Sequence, residues 1–237
     1  MVVSNFCPIF YIFTRNIFLK YSMIPKLLHQ IFFKLTKDLD DIHVFRDCQC
    51  ITQQRLEQFG GYEYRLWSEE ECNQLIRDHY PEFKQLWEDF TQPIMRIDFI
   101  RYIILYHYGG IYLDLDMYPL QDFECLLHQS EVFVRWNNDK RKLPYNAVMM
   151  SETHNPLFME IANHSQESFY EKSSSLPKSW TGRLVFHSTG HYMLQRVLKP
   201  KKIIPHDILK VNSKEGIIIT SDNPYFEDFN ASVWYQD

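Results

Sequence analysis

Between Ile94 and Asp116 the sequence runs an apolar helix into two adjacent glycines, a short strand and a pair of aspartates, and this order leaves few folds open. Ile97, Ile100, Ile104 and Tyr108 recur at helical spacing, which predicts a helix over 94–108 with one strongly apolar face. Gly109-Gly110 stops that helix. Ile111-Tyr112-Leu113 then reads as a strand, and it leads into Asp114-Leu115-Asp116. In open α/β sheets ligands collect beyond the carboxyl ends of the strands, so the aspartates stand where a ligand is expected.

The rest of the chain fits one layered α/β domain. Leu27 to Phe33 reads as a buried first strand after Pro25. Thr36 to Asp41 reads as a loop, and Cys48 to Phe59 as a helix ended by Gly60-Gly61. Tyr62 to Trp67 alternates as a strand does. Ser68 with Glu71 forms a capping box that opens a helix to about Tyr80, and Pro81 begins a further short helix. Val132–Trp136, Ala147–Met150, Lys202–Ile204 and Gly216–Thr220 read as strands. Pro156–Ser168 and His191–Leu198 read as helices, and Glu171–Lys178 as a Ser-rich loop.

The 237 residues carry a net charge of -5, and this mild acidity argues against a nucleic-acid binder, because a phosphate backbone wants a basic face. The five cysteines are odd in number and irregular in spacing, and Cys48-x-Cys50 lacks the second pair of a zinc site, so they read as reduced thiols. Val2 to Leu19 is largely apolar but is interrupted by Thr14-Arg15-Asn16, and a bilayer span needs roughly 20 apolar residues. Residues 1–22 are therefore either an apolar extension or a signal-anchor, and 23–237 form the single folded domain. A cytoplasmic site goes with the first reading and an ER or Golgi membrane with the second.

Two carboxylates at i and i+2 on a strand end point to one face and repel unless a cation neutralises them. A hard divalent ion such as Mn or Mg does so, and it retains positions for phosphate oxygens. By itself Asp-x-Asp also fits a solvated loop. Arg96, Asp98 and Arg101 lie on the preceding helix, with Asp98 and Arg101 spaced so that they share a face. They read either as an intrahelical ion pair or as charges lining a cleft for a polyhydroxyl ligand.

The stretch from Arg96 to Asp116, with Asp98, Arg101, Tyr112, Asp114 and Asp116 in place, resembles the sugar-binding signature of glycosyltransferase family 32. That group holds fungal initiating mannosyltransferases, bacterial surface-glycan enzymes and viral relatives. The same spacing is similar to the donor site of glucosylating clostridial toxins. Ile24-Pro25-Lys26-Leu27-Leu28-His29-Gln30-Ile31-Phe32 resembles the family's opening strand, with Phe32 where Trp is usual. Asn146-Ala147 resembles its Asn-Ala block. Ser188-Thr189-Gly190 resembles its Thr-Gly-Pro turn more loosely, since His191 replaces the proline. The C-terminal segment lacks the family's histidine; Ser232 and Trp234 keep its pattern, and Asp228 or Asn230 stands in for the missing metal ligand.

The resemblance implies a GT-A type fold, a Rossmann-like mixed sheet flanked by helices. It implies a retaining hexosyltransferase that uses Mn2+ or Mg2+ and a nucleotide-sugar donor, GDP-mannose or a UDP-hexose. The acceptor would be a glycan, glycolipid or protein. It assigns the metal to Asp116, Asp114 and Asp228, and the catalytic set to Asp98, Arg101, Asp114 and Asp116. Donor binding falls to His29, Gln30, Phe32, Asp98, Arg101, Tyr112, Asp114, Asn146, Ser232 and Trp234. Two other readings compete. A phosphohydrolase of the Asp-x-Asp type wants Thr or Val where Tyr118 stands, and a degenerate sugar-binding scaffold would explain the changed Trp and lost His.

Overall fold

The computed structural model describes residues 23–33, 42–136, 143–177, 181–213, 216–219 and 224–229. In chain order the elements are β1 (Leu27–Phe32), α1 (Ile42–Phe59), β2 (Glu63–Ser68), α2 (Glu69–His79), α3 (Lys84–Asp89), α4 (Pro93–Tyr108), β3 (Gly110–Leu113), β4 (Met117–Pro119), β5 (Glu131–Trp136), β6 (Leu143–Ser151), α5 (Pro156–Ser175), α6 (Thr181–Ser188), α7 (His191–Leu198), β7 (Leu209–Ser213), β8 (Gly216–Ile219) and β9 (Phe226–Asp228).

Five strands form the central sheet in the order β2-β1-β3-β6-β5, and a smaller sheet runs β4-β9-β7-β8. β1 pairs parallel to both β2 and β3, while β6 runs antiparallel to β3 and β5. Alternation along the strands divides the interior in two. Ile31, Trp67, Tyr112, Phe133 and Met149 face helices α2 to α7, with α4 in the middle of that layer. Leu28, Ile111, Leu113, Val132 and Val148 face the other way, toward Leu56 of α1 and Met117, Leu209 and Phe226 of the smaller sheet. This is the α/β layering expected from the sequence.

The capping box is present: the Ser68 hydroxyl accepts from the Glu71 amide, and the Ser68 amide donates to the Glu71 carboxylate. Gly109 and Gly110 have φ of 65° and 94°, in the left-handed region. A Cβ at Gly109 would meet the Thr153 amide nitrogen at 2.7 Å, and one at Gly110 would meet the Leu27 carbonyl oxygen at 2.3 Å. The two glycines thus let α4 reverse into β3 while β1 and the end of β6 crowd against the turn.

Several local expectations are corrected. α4 is not two-faced, because every residue from Ile97 to Leu105 is buried, Asp98 and Arg101 included. α1 begins at Ile42 rather than Cys48. Glu171–Ser175 continue α5 instead of forming a loop, with the hydroxyls of Ser173, Ser174 and Ser175 donating to carbonyls three or four residues back. Lys202–Ile204 is a turn, with Lys202 at φ 58°. Thr36–Asp41 lies outside the described residues. No helix among the described residues is long and apolar enough to cross a membrane.

Candidate active site

β3 ends at Leu113, and Asp114-Leu115-Asp116 is a turn closed by the Met117 amide donating to the Asp114 carbonyl at 3.1 Å. The two aspartates therefore do not share a strand face as expected; the turn separates their duties. A second bond, from the Asp114 amide to the Ala147 carbonyl at 2.9 Å, ties the turn to β6. Gln30 holds it from the other side. Its amide nitrogen donates to the Asp114 carbonyl at 3.1 Å while its oxygen accepts from the Tyr64 hydroxyl at 2.9 Å.

Asp114 turns toward α4. Its Oδ1 accepts from the Tyr112 hydroxyl at 2.6 Å and lies 3.3 Å from Arg101 Nη2. Arg101 is buried, and its Nη2 is also 2.9 Å from Asp98 Oδ1. Its Nη1 donates to the Asn146 carbonyl at 2.8 Å, its Nε to the Ile97 carbonyl at 3.3 Å, and its guanidinium lies 4.6 Å from the Tyr112 ring centre. Asp98 accepts further from the Asn146 amide and from the Thr189 hydroxyl, each at 3.1 Å. The intrahelical ion pair is present and buried, and it extends to Asp114, the member of this network with appreciable exposure, at 27% of its side chain.

The electrostatics follow from burial. Burial pushes the Asp98 carboxyl up to about 6 against the pull of Arg101. Burial also raises Asp114, against Arg101 and the Tyr112 hydroxyl. For Arg101 burial works against the charge, but Asp114, Tyr112 and Asp98 outweigh it and hold the guanidinium above its ordinary range. A buried ion pair of this kind stands only because its remaining donors and acceptors are also matched.

On the other side of the turn, β9 lies against β4 with Asp228 opposite Met117, and the Phe229 amide donates to the Asp116 carbonyl at 3.1 Å. Pairing thereby brings Asp228 beside Asp116. The Tyr145 hydroxyl donates to Asp228 Oδ2 at 3.1 Å. Burial, then Asp228, Asp116 and Asp114 in that order, push the Tyr145 hydroxyl well above its usual range, so all three carboxylates act on one point. Cys48 of α1 feels the same charges: burial first, then chiefly Asp116, raises its thiol to about 12. Among the described residues no three acidic, imidazole or thiol side chains converge as ready metal ligands. The expected trio of Asp114, Asp116 and Asp228 is thus not assembled, because Asp114 is drawn to Arg101 and Tyr112. Asp116 and Asp228 still fit a small hard cation, since Mg-like ions are commonly held by one or two carboxylates with phosphate oxygens completing the shell.

The remaining residues divide plainly. Phe32, at the end of β1, is 37% exposed and free to offer a ring face. His29 is fully buried: Nδ1 accepts from the Trp67 indole at 3.1 Å and Nε2 lies 2.9 Å from the Gly109 carbonyl, so it braces the sheet and does not face the cleft as expected. Gln30 and Tyr112 are likewise buried and act on Asp114. Ser232, Trp234 and Asn230 lie outside the described residues. Thr189, carried only by a loose match to a turn, proves to be an anchor of Asp98. Tyr145 was missed; its sole sequence signal is that it precedes Asn146.

Residues 46–133 match the family described as "Glycosyltransferase sugar-binding region containing DXD motif". Inositol phosphoceramide mannosyltransferase 2 of Schizosaccharomyces pombe is 30% identical over 221 residues, covering 91% of this chain and 59% of that protein. Inositol phosphoceramide mannosyltransferase 3 of the same yeast is 35% identical over 219 residues, covering 90% and 56%. A mannosyl phosphorylinositol ceramide synthase of Saccharomyces cerevisiae is 30% identical over 189 residues, covering 77% and 44%. The chain thus spans about half the length of these relatives. Among solved structures the PaToxG glycosyltransferase superposes with a TM-score of 0.55 at 12% identity, covering 76% of this chain and 70% of that one. The layered mixed sheet is that of the GT-A glycosyltransferases. The DXD turn and the buried Asp98–Arg101 pair thus both lie inside the segment that matches the glycosyltransferase sugar-binding region.

Proposed function

We propose that this chain transfers a mannosyl residue from a nucleoside-diphosphate sugar, with retention of configuration, to a phosphoinositol-bearing ceramide lipid. The observation that carries this reading is the buried Arg101, which Asp98 and Asn146 hold and which meets Asp114 at the cleft. The mannosyl group and the lipid acceptor come from the names of the yeast relatives.

In this reading Asp98, Arg101 and Asn146 shape the sugar pocket, and Asp114 takes up sugar or ribose hydroxyls. Phe32 stacks on the base, where a ring face suffices for any nucleobase. Gln30, Tyr112 and His29 hold the pocket's walls. Asp116 and Asp228 would bind Mn2+ or Mg2+. When bound, the ion offsets charge on the departing diphosphate.

The test is release of nucleoside diphosphate by the purified chain with Mn2+, offering GDP-mannose and UDP-glucose, with and without inositol phosphoceramide. The reading expects turnover of GDP-mannose that rises with the lipid and is lost in Asp116→Asn. Preference for UDP-glucose would overturn the donor, indifference to the lipid would overturn the acceptor, and full activity in Asp116→Asn would overturn the metal assignment.

A further inference from the structure

Tyr145 and Asn146 are neighbours on β6, and strand alternation sends them to opposite faces of the sheet. Asn146 meets Asp98 on the α4 side, while Tyr145 packs toward the smaller sheet and meets Asp228. β6 is irregular here. β5 passes from pairing Phe133 with Met149 to pairing Val134 with Tyr145, so Asn146, Ala147 and Val148 have no partner residue on β5. Their backbone is used by the site instead, the Asn146 carbonyl by Arg101 and the Ala147 carbonyl by the Asp114 amide. One stretch of strand therefore fixes both halves of the cleft.

Asp228 has a particular need for such a fixture. It is 1% exposed, the next residue's amide is bonded to the Asp116 carbonyl, and both carboxylates act on Tyr145 and Cys48; like charges gathered this way repel when no cation is between them. A neutral hydroxyl donating to one oxygen relieves part of that repulsion and fixes the plane of the carboxylate. We propose that Tyr145 is the positioning residue for Asp228, holding its carboxylate beside Asp116 in the orientation that receives a divalent cation. This rests on the reading of Asp116 and Asp228 as the cation's protein ligands. Tyr145 acts through Asp228 and needs no contact with the sugar.

The test is Mn2+ binding to the whole chain in the presence of GDP, read from the electron paramagnetic resonance signal of free Mn2+, with thermal melting as the check on folding. Loss of a group that orients a metal ligand weakens affinity about ten- to a hundredfold. Tyr145→Phe, which keeps the ring, is expected to weaken Mn2+ binding by about tenfold. Asp228→Asn should weaken it at least as much, and the double variant should be no weaker than Asp228→Asn alone. Wild-type affinity in Tyr145→Phe, alongside loss in Asp228→Asn, overturns the role of Tyr145 and leaves the metal site standing. Wild-type affinity in Asp228→Asn overturns the metal site and this inference with it. Should Tyr145→Phe not fold, 3-fluorotyrosine at position 145 gives a second readout. Its fluorine resonance is expected to shift on adding Mg2+, and an unmoved resonance in a chain that binds Mg2+ overturns the proposal.

Discussion

Arg101 places a single guanidinium nitrogen between two carboxylates, 2.9 Å from Asp98 on its own helix and 3.3 Å from Asp114 on the DXD turn. Helix and turn are joined through that atom, while the other nitrogens of the same group hold the Ile97 and Asn146 carbonyls. A lysine carries the charge but has no planar fork to span four acceptors. Arg101→Lys is expected to fold and to lose about a hundredfold in turnover, as misplacement near the reacting atoms does. Arg101→Met leaves Asp98 and Asp114 without their cation and should destabilise the fold by about 3–5 kcal/mol in urea titrations. An unchanged urea midpoint in Arg101→Met would mean that the pair carries no structural weight.

Asp98 sets an acid limit on activity. Its folded carboxyl titrates at about 6, against 3.8 unperturbed, with burial as the leading cause. Because the folded value is the higher one, this group's contribution to stability is full below 3.8 and is lost as pH rises through 6, so acid favours the fold through Asp98. Activity goes the other way, since a proton on Asp98 removes the charge that steadies Arg101. The rate of nucleotide release should fall as pH drops through about 6, and Asp98→Asn should be slow at every pH without that limb. A wild-type limb that persists unchanged in Asp98→Asn would assign it to another group.

His29 works in the opposite sense. Burial, with a smaller push from Arg65 and against the Gly109 carbonyl, lowers its folded pKa from 6.5 to about 4. For a base depressed in this way the contribution is full above 6.5 and is lost as pH falls toward 4, amounting to about 3 kcal/mol by pH 4. Because the Asp98 contribution is common to both chains, melting temperatures recorded from pH 7 to pH 4 should fall in the wild type relative to His29→Gln. Parallel curves would show that His29 is not the group that charges.

Gly110→Ala puts a methyl group 2.3 Å from the Leu27 carbonyl at a φ of 94°. The neighbour is backbone, so relief requires β1 and β3 to part, and β3 delivers the aspartates. The substitution should destabilise by at least about 2 kcal/mol and reduce activity at temperatures where the chain is still folded. Gly60→Ala is the control: its φ is also positive, but the added carbon meets nothing within 4 Å.

What the sequence disclosed was what lies close along the chain. The Ser68–Glu71 box, the Gly109-Gly110 reversal and the Asp98–Arg101 spacing are local, and each appears where its spacing put it. His29 falls on the same side of β1 as Ile31, inside the helical layer, and its likeness to a motif drew it toward the cleft. The serines after Tyr170 resembled a loop because their hydroxyls compete for backbone, yet here those hydroxyls return to the helix carbonyls. Asp228 has no local signature that marks it as a neighbour of Asp116. That meeting depends on β9 pairing with β4 across more than a hundred residues, and no periodicity encodes such a register.

The same pairing has a consequence for assembly. β4 leaves the DXD turn about a hundred residues before its partner β9 is made, so during synthesis the half around Arg101 can pack while the half around Asp116 still waits for Asp228. A chain halted before Phe226 would hold the helical layer and the central sheet yet lack the strand that brings Asp228 to the DXD turn. Contacts so distant in sequence close slowly, and the meeting of Asp228 with the DXD turn therefore comes later than the packing around Arg101.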